Sequence, residues 1–304
     1  MIPVIDMQEE KAASDLVHAF ETIGFATLVN HGVDEVALDD AFEASADFFS
    51  LPENTKMECK YQSHSSNRGY IPFQAESHSS SKPDHKETFD IGWDEDLEFT
   101  TPWPKKSSKM KERLVNYFLK CNALHLRVMR MLGEGMELKD ADFFVKRCDE
   151  KHCNLRLLHY PELTDEQYLS QPMLIRGGRH TDFGTITLLR QDSVGGLRVQ
   201  KRGETEWFPV PPVPNSFVVN VGDMLQRWTN DRLLATPHQV VYFNKQEDNL
   251  AQKSIPERFS IAFFCNANKD VMLSSRDFSD ETPKYEPIKA IDYITGRLSA
   301  TISM

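Results

Sequence analysis

Residues 179–189 read RHTDFGTITLL. His180 and Asp182 stand two apart, and a β-branched, apolar run follows. Side chains at i and i+2 of a strand point to one face, so both can reach a single point. An imidazole nitrogen and a carboxylate oxygen suit a borderline divalent metal such as Fe(II). Spacing alone decides nothing. Ten histidines and 46 acidic residues in 304 positions produce a His-x-Asp/Glu pair roughly once or twice by chance. The chain has two such pairs. The other, His85 and Glu87, falls in SSSKPDHKETFD at the edge of a polar stretch, where a solvated loop is expected.

A site of two histidines and one carboxylate needs one more histidine, brought by a different strand. Downstream of Asp182 the chain holds a single histidine, His238, at the head of the strand-like run HQVVYF. The intervening chain is long enough for several strands and a return. The plain alternative for His238 is a buried, hydrogen-bonded core residue. Three protein ligands leave open positions on iron for a co-substrate and O₂. A divalent iron, one carboxylate and a dianionic co-substrate sum to a net negative charge, which is costly in a dry pocket without a cation. A guanidinium suits a carboxylate best. Arg258 opens the run RFSIAFF, with Ser260 on the same face; the competing reading of Arg258 is a charge at a strand edge.

Around these residues the texture divides near position 150. The front half predicts a strand at 2–7, helices at 8–22 and 35–49, a β-rich run at 25–33 and a long helix over 107–135. Residues 60–86 are polar, Ser- and His-rich, and read as a long binding loop or lid. The back half alternates short apolar runs with Gly, Pro and Asn turns, at 155–160, 185–191, 196–200, 217–222, 238–243 and 258–264, with a final helix at 288–300. That rhythm predicts a β-sandwich or barrel of the jelly-roll kind, mainly β with flanking α. The domain reading is 1–150, a mixed α/β region with the long helix, and 151–304, a β core.

A formal net charge of -11 argues against nucleic acid or an anionic membrane as the main partner. Five cysteines without a C-x-x-C fit a reducing, cytoplasmic setting. The N-terminus lacks a signal-peptide pattern, and no stretch has the length of a membrane helix. A monomer is the default expectation.

Taken together, His180-x-Asp182, His238 and Arg258-x-Ser260 resemble the iron(II)- and 2-oxoglutarate-dependent dioxygenases, in the branch that includes isopenicillin N synthase. The resemblance spans nearly the whole chain. IPVIDM, GFATLVNHGV, LPENTK and NRGYIPF look like that branch's N-terminal region. LLHYPEL, HTDFGTITLLRQDSVGGLRV, FVVNVGDMLQRWTND and RFSIAFFCNAN look like its catalytic core. HTDFGTITLLRQDS, RWTND and FCNAN are most similar to fungal thymine hydroxylases. The resemblance implies a double-stranded β-helix core at 151–304 and His180, Asp182 and His238 as iron ligands. It implies that Arg258, Ser260 and Tyr160 hold the distal carboxylate of 2-oxoglutarate. Fe(II), 2-oxoglutarate and O₂ are the implied requirements, with ascorbate in support. Leu158 stands where many relatives have Asn.

The implied reaction couples oxidative decarboxylation of 2-oxoglutarate to hydroxylation of a substrate C–H bond. A small pyrimidine base or related heterocycle is the first substrate expected. The alternatives are oxidative tailoring of a secondary metabolite by hydroxylation, desaturation or ring closure, and a 2-oxoglutarate-independent oxidase on the same fold. The intact ligand set disfavours a non-catalytic binding protein. Candidate substrate residues near the mouth are Asn67, Tyr70, Glu87, Phe89, Arg176 and Arg190. Arg176 and Arg190 share the even parity of His180, although Gly177 and Gly178 make that count unreliable.

Overall fold

The structure, a computed structural model, describes residues 1–63, 65–77, 83–105, 107–169, 171, 173–243, 254–277 and 282–301. Among the described residues, twelve strands build two sheets. The larger contains β1 (Val4–Asp6), β2 (Phe25–Val29), β3 (Gly69–Ile71), β4 (Glu87–Ile91), β5 (Asn154–Tyr160), β7 (Ile186–Gln191), β10 (Phe217–Val221) and β12 (Arg258–Phe264). Their order is β1-β2-β10-β7-β12-β5-β4-β3. The smaller sheet contains β6 (Met173–His180), β8 (Leu197–Gln200), β9 (Trp207–Pro209) and β11 (His238–Phe243), in the order β6-β11-β8-β9. A third, two-stranded sheet pairs β13 (Met272–Leu273) with β14 (Ile288–Lys289). This is the jelly-roll core, extended at both edges of the large sheet by strands from the first half of the chain. The large sheet thus crosses the 150/151 boundary suggested by texture.

The helices are α1 (Ala12–Thr22), α2 (Glu35–Phe49), α3 (Glu53–Met57), α4 (Ser108–Gly135), α5 (Glu166–Leu169), α6 (Asp223–Trp228) and α7 (Ala290–Thr301). Asp34 caps α2, its Oδ1 accepting from the Ala37 N–H at 2.9 Å. The helix expected from residue 8 begins at Ala12, because two turns intervene: Glu9 N–H donates to Asp6 O and Ala12 N–H to Glu9 O. The expected loop at 60–86 contains β3, whose buried Tyr70 and Ile71 pair with Phe89 and Thr88. His64 and residues 78–82 of that stretch lie outside the described residues. His85 and Glu87, expected in a solvated loop, are both buried, and Glu87 opens β4. Among the described residues no helix is long and apolar enough to cross a membrane. All five cysteines are buried and free.

Side chains alternate across the large sheet, and this alternation creates the interior of the site. On β5, Leu155 and Leu157 join the main apolar core, while Asn154, Arg156, Leu158 and Tyr160 face a cavity. On β7, Ile186 and Leu188 enter the same core as Leu114 and Phe118 of α4; Leu189 packs into a second cluster with Leu197 and Val199 of the small sheet. Ile261 and Phe263 on β12 also join the main core, leaving Arg258 and Ser260 on the opposite face. The helices therefore cover one face of the large sheet. Its other face and the small sheet enclose the interior.

The turn after Asp182 is wedged between two backbones. Asp223 N–H donates to Asp182 O at 2.7 Å, Gly222 N–H to Thr185 O at 2.8 Å, and Thr185 N–H to Cys265 O at 2.7 Å. A methyl group at Gly222 would lie 2.2 Å from the Gly184 carbonyl oxygen. Glycine is needed there for close approach. Replacing Gly222 with Ala is expected to lower stability by about 2 kcal/mol, the usual size of an overpacking cost. A thermal melt checks this; an unchanged Tm would show slack in the turn.

Candidate active site

His180 ends β6, His238 begins β11, and the two are paired in register. Asp182 sits in the turn that follows β6. The Nε2 atoms of both histidines lie 3.7 Å from Asp182 Oδ1. One ligand atom from each of the three residues falls within 4.8 Å of the others. The structure therefore brings together the three residues that spacing alone could not connect.

Neighbouring groups aim each donor inward. His180 Nδ1 is 2.8 Å from Gly178 O, and His238 Nδ1 is 3.1 Å from Thr236 O. A carbonyl can only accept, so Nδ1 carries the proton and Nε2 presents its lone pair. Asp182 Oδ2 accepts from Thr187 Oγ1 at 2.6 Å and from Asn220 Nδ2 at 2.7 Å. Those bonds occupy one oxygen and leave Oδ1 facing the imidazoles. Burial by itself raises the Asp182 pKa. His238, His180 and the two hydrogen bonds outweigh it and hold the carboxyl below the usual range. Phe25 of β2 packs edge-on against the His238 ring, with centroids 5.4 Å apart. This donor set fits a divalent cation of intermediate softness, Fe(II) included.

Beside the triad lies a concentration of positive charge. Arg258 is 1% exposed; its Nε donates to Gly195 O at 2.7 Å and its Nη1 to Ser260 Oγ at 3.0 Å. Arg176 is equally buried and donates to the carbonyls of Tyr160, Pro161 and Pro256. Both guanidinium groups stand over the Tyr160 ring, at 4.8 Å for Arg258 and 5.1 Å for Arg176. Burial, and then repulsion from Arg258, push the Arg176 pKa down to about 10. Among the described residues no carboxylate ion-pairs with either arginine, so the two concentrate positive charge in the interior.

A cavity of about 140 Å³ opens beside His180 and Asp182. Asn67, Asn154, Arg156, Leu158 and Tyr160 line one side, and Phe183, Phe264, Asn266, Ile294 and Leu298 line others. Arg156 is held by Asp90 through two 2.8 Å contacts and by Glu76 at 3.1 Å. Asn154 Nδ2 also donates to Asp90. Asn154 Oδ1 and Asn266 Oδ1 are buried acceptors that meet no donor among the described residues.

Of the six residues expected near the mouth, Asn67 lines this cavity and the other five do not. Glu87 and Phe89 lie opposite His159 and Leu157, and Tyr70 opposite Phe89, so all three belong to the helix-covered face. There Tyr70 and Lys56 bond Glu87, and Phe89 stacks on Phe48. Arg190 lies opposite Ile261 on that same face and donates to Ser216 O. The turn between β6 and β7 breaks its parity with His180. Arg176 is the extra residue at a register shift in β6, between Gly177 and Ile175, and its guanidinium stands over Tyr160 beside Arg258 instead. Sequence reasoning misses Arg156, Asn154, Asn266 and the residues that orient Asp182. The alternation in NLRLLHY, polar at 154 and 156 and apolar at 155 and 157, is the available signal for two of them.

The comparisons with known proteins agree with this geometry. Residues 2–109 match the family described as the N-terminal part of the non-haem dioxygenase in morphine synthesis, and residues 151–267 match the 2OG-Fe(II) oxygenase superfamily. The 2-oxoglutarate-dependent dioxygenase ecdK of Aspergillus rugulosus is 33% identical, over 91% of this chain and 90% of that protein. The proline hydroxylase buaE of Petromyces alliaceus is 32% identical, over 97% and 94%. The crystal structure of full-length Neurospora crassa thymine-7-hydroxylase with alpha-KG and thymine superposes with a TM-score of 0.87 at 35% identity, covering 98% of this chain and 96% of that one. With both halves matched, and relatives aligned over nearly their full lengths, the chain belongs to the 2OG-Fe(II) oxygenase superfamily and is a 2-oxoglutarate-dependent dioxygenase.

Proposed function

We propose that this enzyme hydroxylates a C–H bond of a small, flat, polar substrate of the pyrimidine type. The two orphan acceptors, Asn154 Oδ1 and Asn266 Oδ1, carry this reading. A buried acceptor without a donor is costly, and a ring bearing N–H groups satisfies it. Phe183 and Phe264 add aromatic surface to the same cavity, and Asn67 and Arg156 add polar groups. The similarity to the Neurospora thymine-7-hydroxylase, solved with thymine, points the same way.

In this reading His180, Asp182 and His238 hold Fe(II). Arg258 and Ser260 hold the distal carboxylate of 2-oxoglutarate, with Tyr160 beside them. The guanidinium groups of Arg258 and Arg176, which meet no carboxylate among the described residues, support that assignment, because a dianion beside them offsets their mutual repulsion. Iron, 2-oxoglutarate and O₂ together supply the oxidising power for C–H cleavage, and succinate and CO₂ are the co-products. The chain's own work is positioning. Gly178 O and Thr236 O fix the imidazole tautomers, Thr187 and Asn220 hold Asp182 ionised, and the apolar wall of Leu158, Ile294 and Leu298 limits water beside the substrate.

A second reading is oxidation of a secondary metabolite. The similarity to ecdK and buaE, a dioxygenase and a proline hydroxylase of fungi, favours it. Succinate release from 2-oxoglutarate, measured with and without thymine, separates the two. Thymine is expected to stimulate release, with a hydroxylated product in matching amount. No stimulation above the uncoupled background would transfer the assignment to the second reading.

The metal assignment has its own tests. Asp182→Ala is expected to abolish both Fe(II) binding and turnover, and retention of one iron per chain would refute the site. Thr187→Val removes one of the two bonds that aim Asp182. It is expected to weaken Fe(II) affinity by about tenfold, the lower end of effects from residues that orient metal ligands. Titration of the apoprotein with Fe(II) under anaerobic conditions measures both variants.

A further inference from the structure

On the helix-covered face of the large sheet a second set of metal-ligating side chains converges. His125 comes from α4, Cys153 from the residue before β5, and Cys265 from the residue after β12. One ligand atom from each lies within 4.8 Å of the others. The sheet brings the two cysteines together. Phe264 of β12 pairs with Asn154 of β5, and one step beyond that pair Cys265 meets Cys153. Alternation places both thiols in the main apolar core with Leu155 and Phe263, while their neighbours Asn154 and Asn266 line the cavity. The Cys265 backbone is held on both sides: its N–H donates to Ile186 O at 2.9 Å, and its carbonyl accepts from Thr185 N–H at 2.7 Å.

His125 and Cys265 are fully buried, and Cys153 is buried. An imidazole at that depth ordinarily spends its nitrogens on hydrogen bonds. Here Nδ1 has the Cys153 sulfur at 3.9 Å, and Nε2 meets no partner among the described residues. Sulfur is a weak hydrogen-bonding partner, so the ring lacks the contacts that would account for a histidine in an apolar core. Cys153 Sγ also lies 4.0 Å from Asn122 Oδ1, a contact too long to anchor the thiol.

Donors around a tetrahedral Zn²⁺ stand roughly 3.5–3.8 Å apart, from bonds of about 2.3 Å to sulfur and about 2.0 Å to nitrogen. The 3.9 Å between His125 Nδ1 and Cys153 Sγ is already on that scale. Two thiolates and a neutral imidazole cancel the charge of Zn²⁺, which suits a site enclosed by apolar side chains. A monovalent soft ion such as Cu(I) would leave a buried negative charge. Cys121 stands one turn before His125 on the same face of α4, and its thiol is near enough to Cys153 and Cys265 to interact with theirs. It offers the fourth donor that a closed zinc site takes.

We propose that His125, Cys153 and Cys265, with Cys121 as the fourth donor, form a structural Zn²⁺ site separate from the triad of His180, Asp182 and His238. The metal fastens α4 to one end of β5 and β12, the strands that carry Tyr160, Arg258 and Ser260 toward their other end. Because its ligands are buried, the site takes its metal as the chain folds and exchanges it slowly afterwards.

The test uses zinc and cobalt as probes and needs no substrate. The full chain is purified under reducing conditions from cells grown with added Zn²⁺ and is then exposed to EDTA, which strips the open triad. One zinc per chain is expected to survive, in the wild type and in Asp182→Ala alike. Cys265→Ser and His125→Gln are expected to lose it. Growth with Co²⁺ in place of Zn²⁺ should give a thiolate-to-cobalt charge-transfer band, which the triad cannot produce because it offers no sulfur. The band should persist in Asp182→Ala. Absence of both EDTA-resistant zinc and the charge-transfer band in the wild type would overturn the site. So would undiminished zinc in both ligand variants, or recovery of Cys153 and Cys265 as a disulfide in the freshly purified protein. If neither ligand variant folds, the cobalt band of the wild type decides.

Discussion

The buried carboxylate of Asp182 is the interaction on which the rest depends. Its two oxygens do different work: Oδ2 accepts from Thr187 and Asn220, and Oδ1 faces the two imidazoles. Without those two donors the carboxylate could rotate, and Oδ1 would lose its aim at the imidazoles. The donors stand on adjacent strands, paired in register as Thr187 and Asn220. Correct pairing of β7 with β10 is therefore a condition for the site as well as for the fold. A slip of one residue would turn one of the two donors toward the helices.

The same alternation separates two kinds of interior. The helix-covered face of the large sheet is filled by leucine, isoleucine, valine and phenylalanine. The cavity face carries Asn154, Arg156, Tyr160, Arg258, Ser260, Thr187 and Asn220. A polar lining of this kind is expensive to bury, and most of it is compensated within the protein, as in the Arg156–Asp90 pair. Among the described residues, the Arg176 and Arg258 guanidinium groups meet no carboxylate, and the Asn154 and Asn266 amide oxygens meet no donor. α7 completes the enclosure with Ile294 and Leu298.

Much of this is legible in the sequence. The 3.6-residue periodicity of 35–49 and 107–135 locates α2 and α4 closely. The back-half strands are visible as β-branched runs between turn residues. His180, Asp182 and His238 can be singled out because one histidine alone follows Asp182, and Arg258 because the charge of the expected site calls for a cation. The errors share one cause. Glu87, Phe89, Tyr70 and Arg190 stand near the motifs in the chain, yet they occupy the helix-covered face. Which face a strand residue occupies depends on the register of its neighbours. The turn after His180 and the register shifts in β6 break the count that would carry parity from one strand to the next.

The sequence by itself determined the element types, the ligand chemistry and the family, because these follow from residue identity and local spacing. Only the tertiary structure decided which polar residues share the cavity, which carbonyls orient the histidines, and that α7 contributes Ile294 and Leu298 to the cavity wall. Those relations join residues far apart in the chain, such as Arg297 with Asp223 and Asn220 with Asp182. They are fixed by strand register and helix docking, and no local pattern encodes either.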